Sequence, residues 1–222
     1  MWRSILLKEW LKIRWFLAAA LIVNLGFSIK IFLDIRNILS AEHAQMVWYQ
    51  AIHLHTVFHD DMRYVPLLTG LTLAAAQFFP EILGRRMRIA LHLPMARDGM
   101  IFFCLAFGLG VVGAIFLVDA LFIHLTMRAY FPFEVAVSAV MTAVPWFLAG
   151  FWGYLGAVAV LLETAWPRRV FFFLVFSVLI AMLYSGVGYG WLTPALPWLG
   201  ALLLPAFLCV FESARRFQRG GA

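Results

Sequence analysis

Six runs of apolar side chains, at about 15–33, 64–79, 100–125, 135–162, 170–186 and 196–211, alternate with short polar connections along the chain. A hydrocarbon core about 30 Å thick needs about 20 apolar residues per helix and leaves no water to satisfy an open sheet edge. The pattern therefore predicts an all-α integral membrane protein, one domain over 1–222 with six transmembrane helices. Segment two is short and ends at Pro80, and segment four carries Pro145 near its middle, so tilt, a kink or a re-entrant break is expected in one or both.

Ahead of the first run, Trp2, Ile5, Leu6, Trp10, Leu11 and Ile13 alternate with Arg3, Lys8, Glu9, Lys12 and Arg14. This spacing predicts an amphipathic helix over 2–14 lying in the membrane interface. Because those basic residues run up to the apolar stretch, the layout is not that of a cleavable signal peptide, and segment one is expected to stay. The longest polar connection, from about Asp34 to Arg63, is expected to be helical in part. Gly186 to Pro197, with Tyr189 and Trp191, has the makings of an interfacial re-entrant turn.

Composition agrees with this reading. Of the residues 64% are hydrophobic and 13% charged, against roughly 25% charged in a soluble domain. Lys and Arg are distributed unequally between alternate connections. Thirteen fall at the N-terminus, in the second and fourth connections and in the tail, and four (Lys30, Arg36, Arg63 and Arg128) on the other side. By the positive-inside rule both termini are expected in the cytoplasm, with the protein multi-pass in the cytoplasmic (inner) membrane. The net charge of +6 is accounted for by this asymmetry, and no nucleic-acid partner is expected. Cys104 and Cys209 lie within apolar runs without CxxC spacing, which suggests neither a disulfide framework nor a zinc site.

Candidate chemistry is sparse. His43, His53, His55 and His59 gather in the first exterior loop. On a helix His55 and His59 would share a face, the spacing for two imidazoles on one metal ion, with Asp60 or Glu42 as further ligands. Asp119 and His124 in segment three are the candidates for an intramembrane polar site, since an ionisable group in the membrane is costly to keep. Gly108, Gly110, Gly113, Gly150, Gly153 and Gly156 would let helices approach closely. Leu183-Tyr184-Ser185-Gly186 lacks the first glycine of an intramembrane serine protease loop, and no histidine follows it. The histidines are too few and on the wrong side for a membrane di-iron oxygenase. No Walker Gly-x-x-x-x-Gly-Lys-Ser/Thr is present, so no enzyme activity is expected of the chain itself.

One connection stands out. Pro80 to Asp98 is basic and partly amphipathic, with Arg85, Arg86, Arg88 and Arg97 set among Ile82, Leu83, Met87, Leu91 and Leu93. Together with six spans, a charged N-terminal helix and both ends inside, it resembles the permease subunit of ABC-2 type transporters. In that family a Glu precedes a short cytoplasmic coupling helix that ends in a Leu-Pro-x-x-Arg-like turn, matched here by Glu81 and Leu93-Pro94-Met95-Ala96-Arg97. The exterior region between spans five and six is shorter than is common in the family. The resemblance implies a coupling helix between helices two and three, with Glu81, Ile82, Leu83, Arg85, Arg86, Met87, Arg88, Leu91, Pro94 and Arg97 docking on a cytoplasmic ABC ATPase subunit. It implies ATP and Mg on that partner and no cofactor in this chain, a second permease copy or a paralogue, and contact with membrane lipid. Aromatic residues, 17% of the chain, suit lipid contact and a hydrophobic export path, so a lipidic or amphipathic substrate is expected. The alternative is a non-transporting membrane sensor or assembly factor that binds a metal or a partner through the exterior histidines.

Overall fold

A computed structural model describes residues 2–41, 44–54, 56–83, 97–186 and 189–218. Helix α1, Trp2–Ala41, is 40 residues long. At 1.5 Å per residue that is about 60 Å, twice the hydrocarbon thickness. The break expected between an interfacial helix over 2–14 and a first span is absent. Neither Gly nor Pro occurs between Trp2 and Gly26, and Leu, Lys and Ala hold the helix through the charged-to-apolar transition. The amphipathic stretch is the first third of one continuous helix.

A short helix α2 (Ala44–Ile52) and a 3₁₀ turn (Asp60–Met62) lead into α3 (Val65–Leu83). Helices α4 (Arg97–Tyr130), α5 (Phe133–Leu162) and α6 (Trp166–Tyr184) follow. The chain closes with α7 (Leu196–Ala201) and α8 (Leu203–Gln218). Among the described residues six helical stretches are long and apolar enough to cross a membrane: Ile5–Ala41, Asp60–Leu83, Gly99–Tyr130, Phe133–Leu162, Trp166–Tyr184 and Leu196–Phe217. No strand occurs among the described residues.

Of the tilt, kink or re-entrant break expected in spans two and four, the break is absent, for α3 continues through Pro80 to Leu83 and α5 runs unbroken through Pro145. The interruption falls instead in the sixth span, between α7 and α8 at Leu202. Pro205 falls in the first turn of α8, where a missing N–H is tolerated, which suits a helix that restarts at Leu203. Before it, residues 189–195 form turns that fold onto α5, where Thr142 Oγ1 accepts the Gly190 N–H at 3.2 Å. Gly190 has φ 63°, a conformation that favours glycine.

Helix α5 is central, packing against α3, α4, α6 and α8, while α1 lies across α3 and α4. Its buried positions include Ala136, Ala139, Ala143, Ala149, Gly150, Gly153, Gly156 and Ala159, small residues that let neighbouring backbones come close. A Cβ on Gly70 of α3 would overlap the Gly150 carbonyl of α5, and one on Gly150 would strike the Phe116 ring. Alternate helices run in opposite senses. The start of α1, the end of α3, the start of α4, the end of α5 and the start of α6 therefore share one end of the bundle, the end that carries most of the Lys and Arg. At the opposite end Lys30 pairs with Asp61, and the Arg63 guanidinium donates to the Tyr184 carbonyl while Tyr184 OH donates to the Arg63 carbonyl at 3.1 Å.

Candidate functional site: a buried polar node at the basic end

Polar side chains of three helices, α1, α3 and α5, and a backbone carbonyl of α4 meet at one buried point. Lys8, Glu9 and Lys12 share the first turns of α1, and Gln77 and Glu81 stand one turn apart on α3, so each pair of residues four apart shares a face. The Lys8 ammonium is 2.8 Å from Glu81 Oε1, and the Lys12 ammonium reaches the same oxygen at 3.1 Å and Glu9 Oε1 at 2.6 Å. Gln77 Nε2 donates to Glu9 Oε2 and to the Cys104 carbonyl of α4, both at 2.9 Å, and Tyr154 OH of α5 donates to Gln77 Oε1 at 2.7 Å. Glu9, Gln77 and Tyr154 are almost wholly buried, at 2%, 1% and 0% exposure.

The Gln77 amide fixes the arrangement. Its nitrogen faces two acceptors and its oxygen a hydroxyl donor, so only one of the two amide orientations satisfies all three neighbours. Space for this comes from Gly108, where a Cβ would overlap Tyr154 OH. Two carboxylates and two ammoniums balance in charge, which makes burial of the group tolerable; Lys12 bridges both carboxylates, and its removal would leave the buried Glu9 without an ammonium. The cavity beside the node is about 20 Å³, room for a single water and too little for a substrate. Chemically the group is an ionic latch that ties α1, α3, α4 and α5 together.

The residues singled out from the sequence fall in several places. Glu81, Ile82 and Leu83 end α3. The Glu81 carboxylate turns inward to α1, Ile82 is half-buried, and Leu83 is 70% exposed. Arg85, Arg86, Met87, Arg88, Leu91 and Pro94 lie outside the described residues, and Arg97 opens α4. The helical spacing invoked for His55 and His59 does not hold around them, because α2 ends at Ile52, residues 53 and 54 turn, and 56–59 are not helical. His55 itself, like His43 and Glu42, is outside the described residues. His59 is fully buried with its ring 5.3 Å from that of Trp146, whereas Asp60 is exposed at 3.9 Å from Arg63, so the two face different surroundings. Burial pushes the His59 pKa down to about 4. Among the described residues no group of three His, Cys, Asp or Glu side chains could hold a metal ion.

Asp119 and His124 do not form one site either. Five residues on a helix turn the two side chains about 140° apart. Asp119 is wholly buried, with neither oxygen hydrogen-bonded among the described residues, and half-buried His124 stands edge-on to Phe133.

The sequence matches no family model, no curated protein and no solved structure. The node is thus known from its own geometry. Sequence reasoning missed Gln77 and Tyr154 and placed Lys8, Glu9 and Lys12 on the polar face of an interfacial helix. One signal was present: Gln77 and Glu81, one turn apart in an otherwise apolar run, mark a polar face that a membrane helix must bury against partners.

Proposed function

We propose that this chain is the transmembrane permease subunit of an ABC-2 type transporter, exporting a lipidic or amphipathic substrate under the drive of a separate ATPase subunit. The observation that carries the reading is the position of the latch. It closes on Glu81, the residue at which the basic segment resembling a coupling helix begins, and it joins that point to three other helices. A push delivered to residues 82–97 reaches the bundle first through Glu81 and Gln77. From there Lys8 and Lys12 pass it to α1, the Cys104 carbonyl to α4, and Tyr154 to the central α5.

In this mechanism the chain performs no covalent step. ATP and Mg bind the partner, whose closure acts on the segment from Glu81 to Arg97, and Arg85, Arg86, Arg88 and Arg97 pair with its acidic rim while Ile82, Leu83, Met87 and Leu91 fill its groove. Because Glu81 is held by two ammoniums and Gln77 by three hydrogen bonds, displacement is resisted until the push exceeds the latch, which gives the bundle two discrete states and not a continuum. Two such chains, or this one and a paralogue, would face two ATPase subunits. Both termini and the basic end lie in the cytoplasm, consistent with the thirteen-to-four distribution of Lys and Arg.

The test is co-purification. Reversing Arg86→Glu and Arg88→Glu together is expected to abolish recovery of an ATP-hydrolysing subunit with the chain while membrane insertion is unchanged. Recovery of an intact, active assembly with both charges reversed would refute the docking assignment.

A further inference from the structure

A groove of about 570 Å³ opens on the flank of the bundle between α3, α5 and α6, away from the polar node. Its floor is made by small residues of α5, Gly153, Gly156 and Ala157, and its walls by Leu71 of α3 and Phe173 and Phe176 of α6. The lining is apolar except for Ser177. Along α6 the groove extends from Phe173 to Ala181, about 12 Å at helical rise, close to the depth of one leaflet of a hydrocarbon core about 30 Å thick.

One turn before the groove's first α6 residue, toward the basic end of the bundle, stand two arginines. Arg169 precedes Phe173 by one turn, so it stands on the same stripe of α6 as Phe173, Phe176 and Ile180. One Arg169 nitrogen donates to the Glu163 carbonyl at 2.6 Å, and its Nε is buried with no hydrogen-bond partner among the described residues. Arg168 beside it is exposed, and no acidic side chain among the described residues pairs with it. Trp166, 70% exposed, marks the same level, as aromatic residues do at the boundary between hydrocarbon and headgroups.

We propose that this groove is a binding site for one anionic phospholipid, an acyl chain lying between α3, α5 and α6 with its phosphate at Arg168 and Arg169. Three features select that occupant. The groove lies within the membrane-spanning region, it is about one leaflet deep, and the guanidinium groups at its mouth match the oxygens of a phosphate. The site is independent of whether an ATPase docks at the basic end.

The experiment is native mass spectrometry of the full chain in mild detergent, titrated with phosphatidylglycerol and phosphatidylcholine of identical acyl chains. One phosphatidylglycerol per chain is expected to be retained about fivefold over phosphatidylcholine, the worth of one arginine at an anionic headgroup. Arg168→Glu should remove that preference. Ala75→Phe, at an exposed position in the groove wall, should reduce retention of both lipids, whereas Leu117→Phe on the outer face of α4 should not. A measurement without variants uses phosphatidylglycerol carrying a photoreactive group in its acyl chain, expected to label residues 153–161 and 173–181 above the rest of the chain. Equal retention of the two lipids by the wild type, label spread evenly over all outer faces, or loss of self-association in Ala75→Phe with lipid retention unchanged would each overturn the proposal; the last would give the groove to a second copy of the chain.

Discussion

Replacing Gln77 with Leu keeps the side-chain volume but removes every hydrogen bond at the centre of the latch. Three bonds are lost, to Glu9, to the Cys104 carbonyl and from Tyr154. At about 0.6 to 1.7 kcal/mol for each interhelical bond in a membrane protein, the direct loss is about 2 to 5 kcal/mol. Glu9 keeps Lys12 at 2.6 Å, so the largest single consequence falls on Tyr154, whose hydroxyl is left at 0% exposure without its acceptor. A double-mutant cycle isolates that contribution. Tyr154→Phe alone should cost about 1 kcal/mol or more, whereas in the Gln77→Leu background it should cost nothing or restore stability, because the hydroxyl it removes is buried and already unpaired. Unfolding of the purified protein by SDS in mixed micelles, followed by far-UV circular dichroism, gives both differences. A coupling energy below about 0.5 kcal/mol would show the two residues acting independently and refute the latch.

Gly70→Ala should lower thermal stability and membrane yield sharply, by about 1 to 3 kcal/mol, because the new Cβ meets the Gly150 backbone; Gly110→Ala, facing open space, should be silent in the same assay. Since His59 holds its pKa at about 4 against an ordinary 6.5, the unfolded chain binds more protons between those values. Stability is then complete above about pH 6.5 and declines toward pH 4, by on the order of 3 kcal/mol, and His59→Gln should flatten the melting temperature over that window. Reporter fusions at either terminus, and at the connections after α3 and α5, should report the cytoplasmic side, with the α1–α3 and α4–α5 connections on the other; a fusion at either terminus reporting the outside would reverse the orientation proposed.

The six spans were legible because each apolar run is long enough that only a helix can satisfy its backbone, and that physics does not depend on what the helix touches. What periodicity could not supply was partnership. Lys8, Glu9 and Lys12 look like a solvated face until Glu81 and Gln77 are seen opposite them, 69 and 68 residues away from Lys12 and Glu9. Tyr154 reads as one more aromatic in an aromatic-rich span, and Gly108 as a packing glycine, until the hydroxyl it accommodates is in place. Local rules erred where tertiary context or chain continuity decides. Pro80 and Pro145 did not end their helices, whereas Pro205, given no weight, coincides with the break between α7 and α8. The histidine spacing failed because it presumed a helix where α2 had already stopped.

The central claim is that the end of α3 is where an ATPase takes hold. Leu83, 70% exposed beyond the latch, is the described position best placed to report it. A photoreactive amino acid substituted at Leu83 in the full chain, activated in intact cells, is predicted to crosslink to a cytoplasmic polypeptide that carries a nucleotide-binding P-loop and hydrolyses ATP, with the adduct lost when Arg86 and Arg88 are reversed to Glu. Crosslinks to lipid alone, or to a partner on the opposite side of the membrane, would contradict the account.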